Sequence, residues 1–219
     1  LMDMESCCTS CCFLQVEYPG SITLDVGWYP AFDKDGEFVV DKILDKAGQK
    51  GTGKWTGINA LDLGVPLTLI GESVFSRCLS ALKDERQEAA KILKGPEKVA
   101  LSGEQAQWIE ALRQALFASK VISYAQGYML MHEAAKEYQW DLNYGGIALM
   151  WRGGCIIRSV FLNDIKNAYD KNPALINLTL DDYFASKLAD CQQAWRKVIA
   201  QAVVAGVPVP SLSSALAFY

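Results

Sequence analysis

The sequence predicts an all-α domain, and three observations carry that prediction. Beyond residue 36, apolar residues recur at helical spacing through most of the chain. One such run, residues 102–138, has Gly127 as its sole breaker beyond the first turn. At about 1.5 Å per residue it makes a helix longer than a small domain is wide, so it must be central. Finally, the glycines and prolines fall between helical runs, at Gly64-Val65-Pro66, Lys94-Gly95-Pro96, Asn172-Pro173 and Gly206-Val207-Pro208. At most two short strands are expected.

The chain of 219 residues, 51% of them hydrophobic, can bury a sizeable core. Its net charge is −4, with lysine and arginine spread along the sequence. Without a basic stripe or polybasic run, no nucleic-acid or membrane partner is expected. No apolar run reaches the roughly 18 residues of a membrane span, and no basic n-region precedes an apolar core. A soluble, cytoplasmic protein is predicted.

Residues 1–31 read as a cysteine-rich leader, poorly ordered and unrelated to the helical domain expected over residues 32–219. Cys7, Cys8, Cys11 and Cys12 include C-x-x-C spacing, but a structural zinc site needs a second ligand pair, and His132 is the sole histidine. No metal is expected. Cys78, Cys155 and Cys191 stand alone in helical patterns and are expected as buried, reduced thiols. Pro19-Gly20 punctuates the leader, and the apolar alternation over 21–31 is broken by Gly27 and Pro30. Asp33-Lys34-Asp35-Gly36 signals a turn; the further oxygen ligands of a calcium loop are missing.

From residue 37 the helical pattern begins. Val40, Ile43, Leu44 and Ala47 share a face, and Gly48 should stop the helix. The next helix should open at Thr52 or Gly53 and run to Leu63. Others are expected over 66–82, with Pro66 in the first turn, and over 84–93. Ser102 should cap the central helix. On it, His132-Glu133-Ala134-Ala135-Lys136 lacks the final ligand of the zinc motif H-E-x-x-H, so His132 is expected at the surface or an interface. A short helix over 143–150 and a longer one over 156–169 follow. Thr179 should then cap a helix reaching Ala205, with Asp181 and Asp182 in its first turn. A final helix should still be running at Tyr219. The sequon Asn177-Leu178-Thr179 has no use in a cytosolic chain.

Leu63-Gly64-Val65-Pro66-Leu67 recurs 142 residues later as Ala205-Gly206-Val207-Pro208-Val209. A tryptophan precedes each copy and an apolar helix follows it, which suggests an internal repeat.

The stretch with most chemistry is Ala47-Gly48-Gln49-Lys50-Gly51-Thr52-Gly53-Lys54-Trp55-Thr56. Its closely spaced glycines let backbone N–H groups approach an anion, and lysines and a threonine hydroxyl stand among them. Gly48, Gly53 and Lys54 fit a P-loop frame, yet Trp55 stands where a Mg²⁺-binding hydroxyl is needed and no buried strand precedes it. Composition leaves two readings open: a phosphate-binding turn, or a helix-to-helix turn with solvated lysines.

That stretch, together with Leu63-Gly64-Val65-Pro66, Leu69-Ile70-Gly71-Glu72, Val74-Phe75-Ser76-Arg77-Cys78-Leu79-Ser80 and Trp151-Arg152-Gly153-Gly154-Cys155-Ile156-Ile157-Arg158-Ser159, resembles the C-terminal helical domain of the 6-phosphogluconate dehydrogenase family. The resemblance runs from about Phe32 to Tyr219. It implies an all-α fold with a duplicated helix set, and a homodimer. It also implies an NADP-dependent oxidative decarboxylation of 6-phosphogluconate to ribulose 5-phosphate, in the pentose phosphate pathway. The family's substrate-phosphate contacts carry over onto Lys50, Thr52 and Arg77. Two cations and a hydroxyl suit a phosphate dianion, and arginine can bind it bidentately.

No G-x-G-x-x-G fingerprint occurs in a strand-to-helix setting, so the Rossmann domain that binds NADP is expected to be absent. The family's general-base lysine, its acid glutamate and its C-terminal tail have no counterpart, so no catalytic residue is assigned. The chain is therefore expected to be a fragment, inactive alone, that keeps the phosphate half-site and dimer surface. The alternative is a non-catalytic helical binding or interaction module that retains the fold.

Overall fold

The computed structural model describes residues 34–37, 42–97, 103–153 and 159–219. Among the described residues there are eight α-helices, one 3₁₀ turn and no strand. The helices are α1 (Thr52–Asp62), α2 (Thr68–Ala81), α3 (Lys83–Ile92), α4 (Gln105–Tyr138), α5 (Tyr144–Met150), α6 (Leu162–Lys171), α7 (Asp182–Val204) and α8 (Pro210–Phe218). The 3₁₀ turn, Leu178–Leu180, leads into α7.

The 34-residue α4 is the axis of the fold. Six consecutive residues at its middle, Val121 to Gln126, are buried, so neighbours cover it on every side. Small residues such as Ala111, Ala115 and Ala118 let α7 lie close along it. Phe161 meets Phe117, Tyr124 and Phe184 edge to face, and Trp195 of α7 is fully buried. Because α4 is enclosed within one subunit, its apolar character gives no reason for self-association.

The repeat is structural. Gly64 and Gly206 adopt φ +68° and +70°, conformations that favour glycine. After α1, Gly64 N–H donates to Leu61 O (3.2 Å) and Val65 N–H to Ala60 O (2.8 Å); after α7, Gly206 N–H donates to Val203 O (3.1 Å) and Val207 N–H to Ala202 O (2.8 Å). Both are Schellman corners, and each is followed by a helix that starts four residues after its glycine. Those two helices, α2 and α8, pack together and share a buried Ser73–Ser211 hydroxyl contact of 3.0 Å.

Several local expectations are corrected. The helix expected over 37–47 does not continue through described residues 42–47, which are irregular apart from one 3₁₀ position at Lys42. Ile43 and Leu44 are 64% and 66% exposed. An amphipathic turn with no surface to pack on gains too little to offset its nucleation. Pro66 and Leu67 complete the corner, so α2 opens at Thr68. Glu104 occupies the N-cap position of α4, because Gly103, at φ +104°, breaks the backbone after Ser102, which lies outside the described residues. The helix expected from 156 begins at Leu162; residues 154–158 lie outside the description, and the buried Phe161 ring fixes the entry. Asp181 caps α7 in place of Thr179, whose N–H and hydroxyl both donate to Asn177 Oδ1. Cys191 is buried as expected, but Cys78 is exposed on the outer side of α2, and Cys155 lies outside the described residues. His132 stands half-buried, stacked on Tyr144 with ring centroids 4.0 Å apart. The four leader cysteines also lie outside the described residues.

Candidate functional site

The glycine-rich stretch forms a strap that runs along α2 in the opposite chain direction. At its far end, Gly53 approaches Val74 so closely that a Cβ there would stand 2.7 Å from Val74 Cγ2. Three residues further along α2, Arg77 Nε–H donates to Gly48 O at 2.5 Å. Ser80 Oγ then accepts from Ala47 N–H at 2.9 Å. At the near end, Arg86 of α3 binds Asp45 twice, from Nη1 to Oδ2 (3.0 Å) and from Nη2 to the main-chain carbonyl (2.8 Å). The order 53, 48, 47, 45 on the strap thus meets 74, 77, 80, 86 on α2 and α3.

This arrangement follows from the corner at Gly64, which folds α2 back beside α1 and the residues ahead of it. Arg77 therefore reaches the strap although 27 residues of sequence separate it from Lys50. Its Nη atoms make no hydrogen bond among the described residues, so the outer face of the guanidinium stays open. Lys50 is exposed at mid-strap. Thr52 is the first residue of α1, and its carbonyl accepts from Thr56 Oγ1 (2.9 Å).

Gly51, at φ +111°, occupies the N-cap position of α1. It supplies no side-chain acceptor, and no acidic residue stands in the first turn. The N-terminal N–H groups and the positive end of the helix dipole are left for an external anion. Charge reinforces this: Lys46, Lys50, Lys54, Arg77 and Arg86 stand on or beside the strap, and the one described carboxylate on it, Asp45, is engaged by Arg86.

Beside the strap, between α1, the end of α4 and α5, lies a mainly apolar cleft of about 480 Å³. Thr52, Trp55, Asn59, Met131, Trp140 and Trp151 are among its lining residues. Thr52 stands where strap and cleft join.

The clamps on the strap were not legible in the sequence. Ser80 reads as an ordinary helix residue and Arg86 as part of a solvated charge run, because their partners lie 33 and 41 residues away. A hydrogen bond over that distance leaves no local signal. The Gly53–Val74 approach had one faint signal, a glycine inside the first turn of a helix where alanine would be the better former.

Comparison with known proteins agrees with this architecture. Residues 21–219 match the family model for the 6-phosphogluconate dehydrogenase C-terminal domain. The chain is 60% identical over 187 residues to the decarboxylating 6-phosphogluconate dehydrogenases of Ovis aries and Homo sapiens, and 62% identical to that of Cunninghamella elegans. In each case 85% of this chain is covered but 39% of the relative's length, so the chain spans about two fifths of these relatives. Among solved structures, the 6-phosphogluconate dehydrogenase of Plasmodium falciparum, studied in apo form, with its cofactor NADP+ and with its substrate 6-phosphogluconate, superposes with a TM-score of 0.78 at 37% identity. That match covers 85% of this chain and 40% of the other. With a family model over nearly its whole length, the same helical architecture and the glycine corners in place, the chain belongs to the 6-phosphogluconate dehydrogenase C-terminal domain family.

Proposed function

We propose that this chain supplies the substrate-phosphate half-site of an NADP-dependent, decarboxylating 6-phosphogluconate dehydrogenase. That enzyme converts 6-phosphogluconate to ribulose 5-phosphate and CO₂ in the cytoplasmic pentose phosphate pathway. The observation that carries this reading is the contact of Arg77 Nε with Gly48 O, which sets the open Nη edge of the guanidinium beside the strap holding Lys50 and Thr52. In this reading Arg77 binds two phosphate oxygens side by side, Lys50 adds a second cation, and the Thr52 hydroxyl and α1 N–H groups donate to the rest. Holding the phosphate fixes one end of the sugar acid, and that positioning is what these residues contribute to catalysis.

Hydride transfer needs NADP, which the Plasmodium falciparum relative binds. A Rossmann site requires the carboxyl edge of a parallel sheet, and the described residues contain no strand, so these helices do not fit the dinucleotide. No chemical step is assigned to them. Residues 1–31 are proposed to be a leader distinct from the helical domain over 32–219. A homodimer is supported by large apolar side chains left exposed around the cleft, notably Trp55, Tyr138, Trp140 and Met150.

The test is calorimetry of the 219-residue chain with 6-phosphogluconate and with gluconate. Binding of the phosphorylated acid alone, weakened by Arg77→Lys, supports the half-site. Equal heats for both ligands, or no dependence on Arg77, refutes it.

A further inference from the structure

Arg86 belongs to α3, a helix with no buried residue, so the core gives no reason for an arginine there. Its side chain nevertheless has well-defined partners. Nη1 reaches Asp45 Oδ2 at 3.0 Å, and Nη2 bonds both the Asp45 carbonyl at 2.8 Å and the Ser80 carbonyl at 3.0 Å. Ser80 O is one of the last carbonyls of α2, left without a helical partner. One planar guanidinium therefore joins the end of α2 to the start of the strap, a geometry that lysine's single ammonium cannot reproduce.

The geometry points to Arg86 as a positioning residue for the phosphate half-site, an inference that rests on the reading of that site given above. Asp45 and Ala47 are tied to Arg86 and Ser80, Gly48 to Arg77, and Gly53 abuts Val74. Only residues 49–52 lie between the anchored points, so Lys50 is held at the middle of a short span fixed at both ends. Releasing the Arg86 end unties Asp45, leaves the Ala47–Ser80 and Gly48–Arg77 bonds as the sole holds on that end among the described residues, and so loosens the spacing of Arg77 and Lys50. Arg86 acts through the strap, because its Nη atoms already serve Asp45 and Ser80.

The experiment compares the wild-type chain with Arg86→Gln, Arg86→Lys, Arg77→Lys and the Arg86→Gln/Arg77→Lys double variant. Calorimetry with 6-phosphogluconate is read beside amide hydrogen exchange at Ala47. Arg86→Gln is expected to speed exchange at Ala47 about tenfold while the middle of α4 stays protected, since only the strap opens. The affinity of Arg86→Gln should fall about tenfold through loss of charged hydrogen bonds, with Arg86→Lys falling between it and the wild type. In the double variant the losses should be smaller than the product of the single ones, because both act on one contact; a merely structural role for Arg86 would multiply them. Unchanged affinity in Arg86→Gln while Arg77→Lys weakens binding overturns the inference alone, as does unchanged exchange at Ala47. A wild-type chain that does not bind removes the half-site itself and Arg86's role in it, whatever the exchange at Ala47 reports.

Discussion

Gln126, fully buried at the middle of α4, accepts a hydrogen bond from the Leu69 main-chain N–H at 3.1 Å and donates to Thr68 Oγ1 at 2.9 Å. The central helix thus caps the N-terminus of α2, satisfying a donor that the helix cannot satisfy itself. Since α2 carries Val74, Arg77 and Ser80, this buried amide fixes the helix on which the strap rests.

Gln126→Leu is close to volume-conserving but leaves the Leu69 N–H buried and unpaired. The expected loss is about 2 kcal/mol, or roughly 4–8 °C in thermal midpoint for a domain of this size. Differential scanning calorimetry showing an unchanged midpoint would remove the cap from the account of stability.

Gly53→Ala should act on binding as well as on stability. Its Cβ would meet Val74 Cγ2 at 2.7 Å, and a valine in a helix has little rotamer freedom to yield. Overpacking of about 1–3 kcal/mol is partly offset by alanine's better helix propensity, about 1 kcal/mol. The net loss should be about 0–2 kcal/mol, at most the size expected for Gln126→Leu, while displacement of Thr52 lowers 6-phosphogluconate affinity severalfold. Adding Val74→Ala should restore it; failure to restore would mean that the contact does not set Thr52.

Arg77→Lys is expected to weaken 6-phosphogluconate binding by about 1–3 kcal/mol through loss of the bidentate contact and of the bond to Gly48 O. Lys54, exposed on α1 beyond the strap, should matter much less. Titration calorimetry on both variants checks the ranking, and a larger effect from Lys54→Ala would move the anion elsewhere.

His132 gives the fold a pH response. Burial, and then the Lys136 charge on the same helix, hold its pKa below the ordinary value of 6.5, against weaker support from a Leu175 main-chain hydrogen bond and from Glu133. Tyr144 of α5 and Tyr169 of α6 face the ring. The unfolded chain thus takes up this proton before the folded one does. The stability contribution is complete above about pH 6.5 and is lost as pH falls through the lower folded value. Thermal midpoints measured from pH 7 to 5 should decline less in His132→Phe than in the wild type. Parallel declines would exclude His132 as the source.

Self-association should appear in sedimentation velocity at micromolar concentration as a species of twice the chain mass, because the apolar side chains around the cleft are left uncovered in one subunit. A monomer across that range would count against the dimer surface.

What the sequence determined by itself is the set of features written in neighbouring residues. The 3.6-residue period marked α1, α2, α3, α4 and α7 to within a few residues, since a helix's own hydrogen bonds span four positions. The Gly64 and Gly206 corners were legible because a left-handed residue strongly favours glycine wherever it occurs. Tertiary structure decided the rest. Asp181 displaced Thr179 as a cap because the 3₁₀ turn over Leu178–Leu180 moves the start of α7 to Asp182, where the Asp181 carboxylate accepts from the Tyr183 and Phe184 N–H groups, and residues 42–47 gave up the helix because Ile43 and Leu44 met no surface. The same holds for the candidate site. Lys50, Thr52 and Arg77 were named from resemblance, but that Arg77 touches Gly48, that Arg86 and Ser80 clamp the strap, and that Gln126 anchors α2 depend on partners 29 to 57 residues apart. The strap contacts exist only once the corner at Gly64 has turned the chain back on itself, and the Gln126 cap only once α4 has packed on α2; no local propensity encodes which side chains will then face one another.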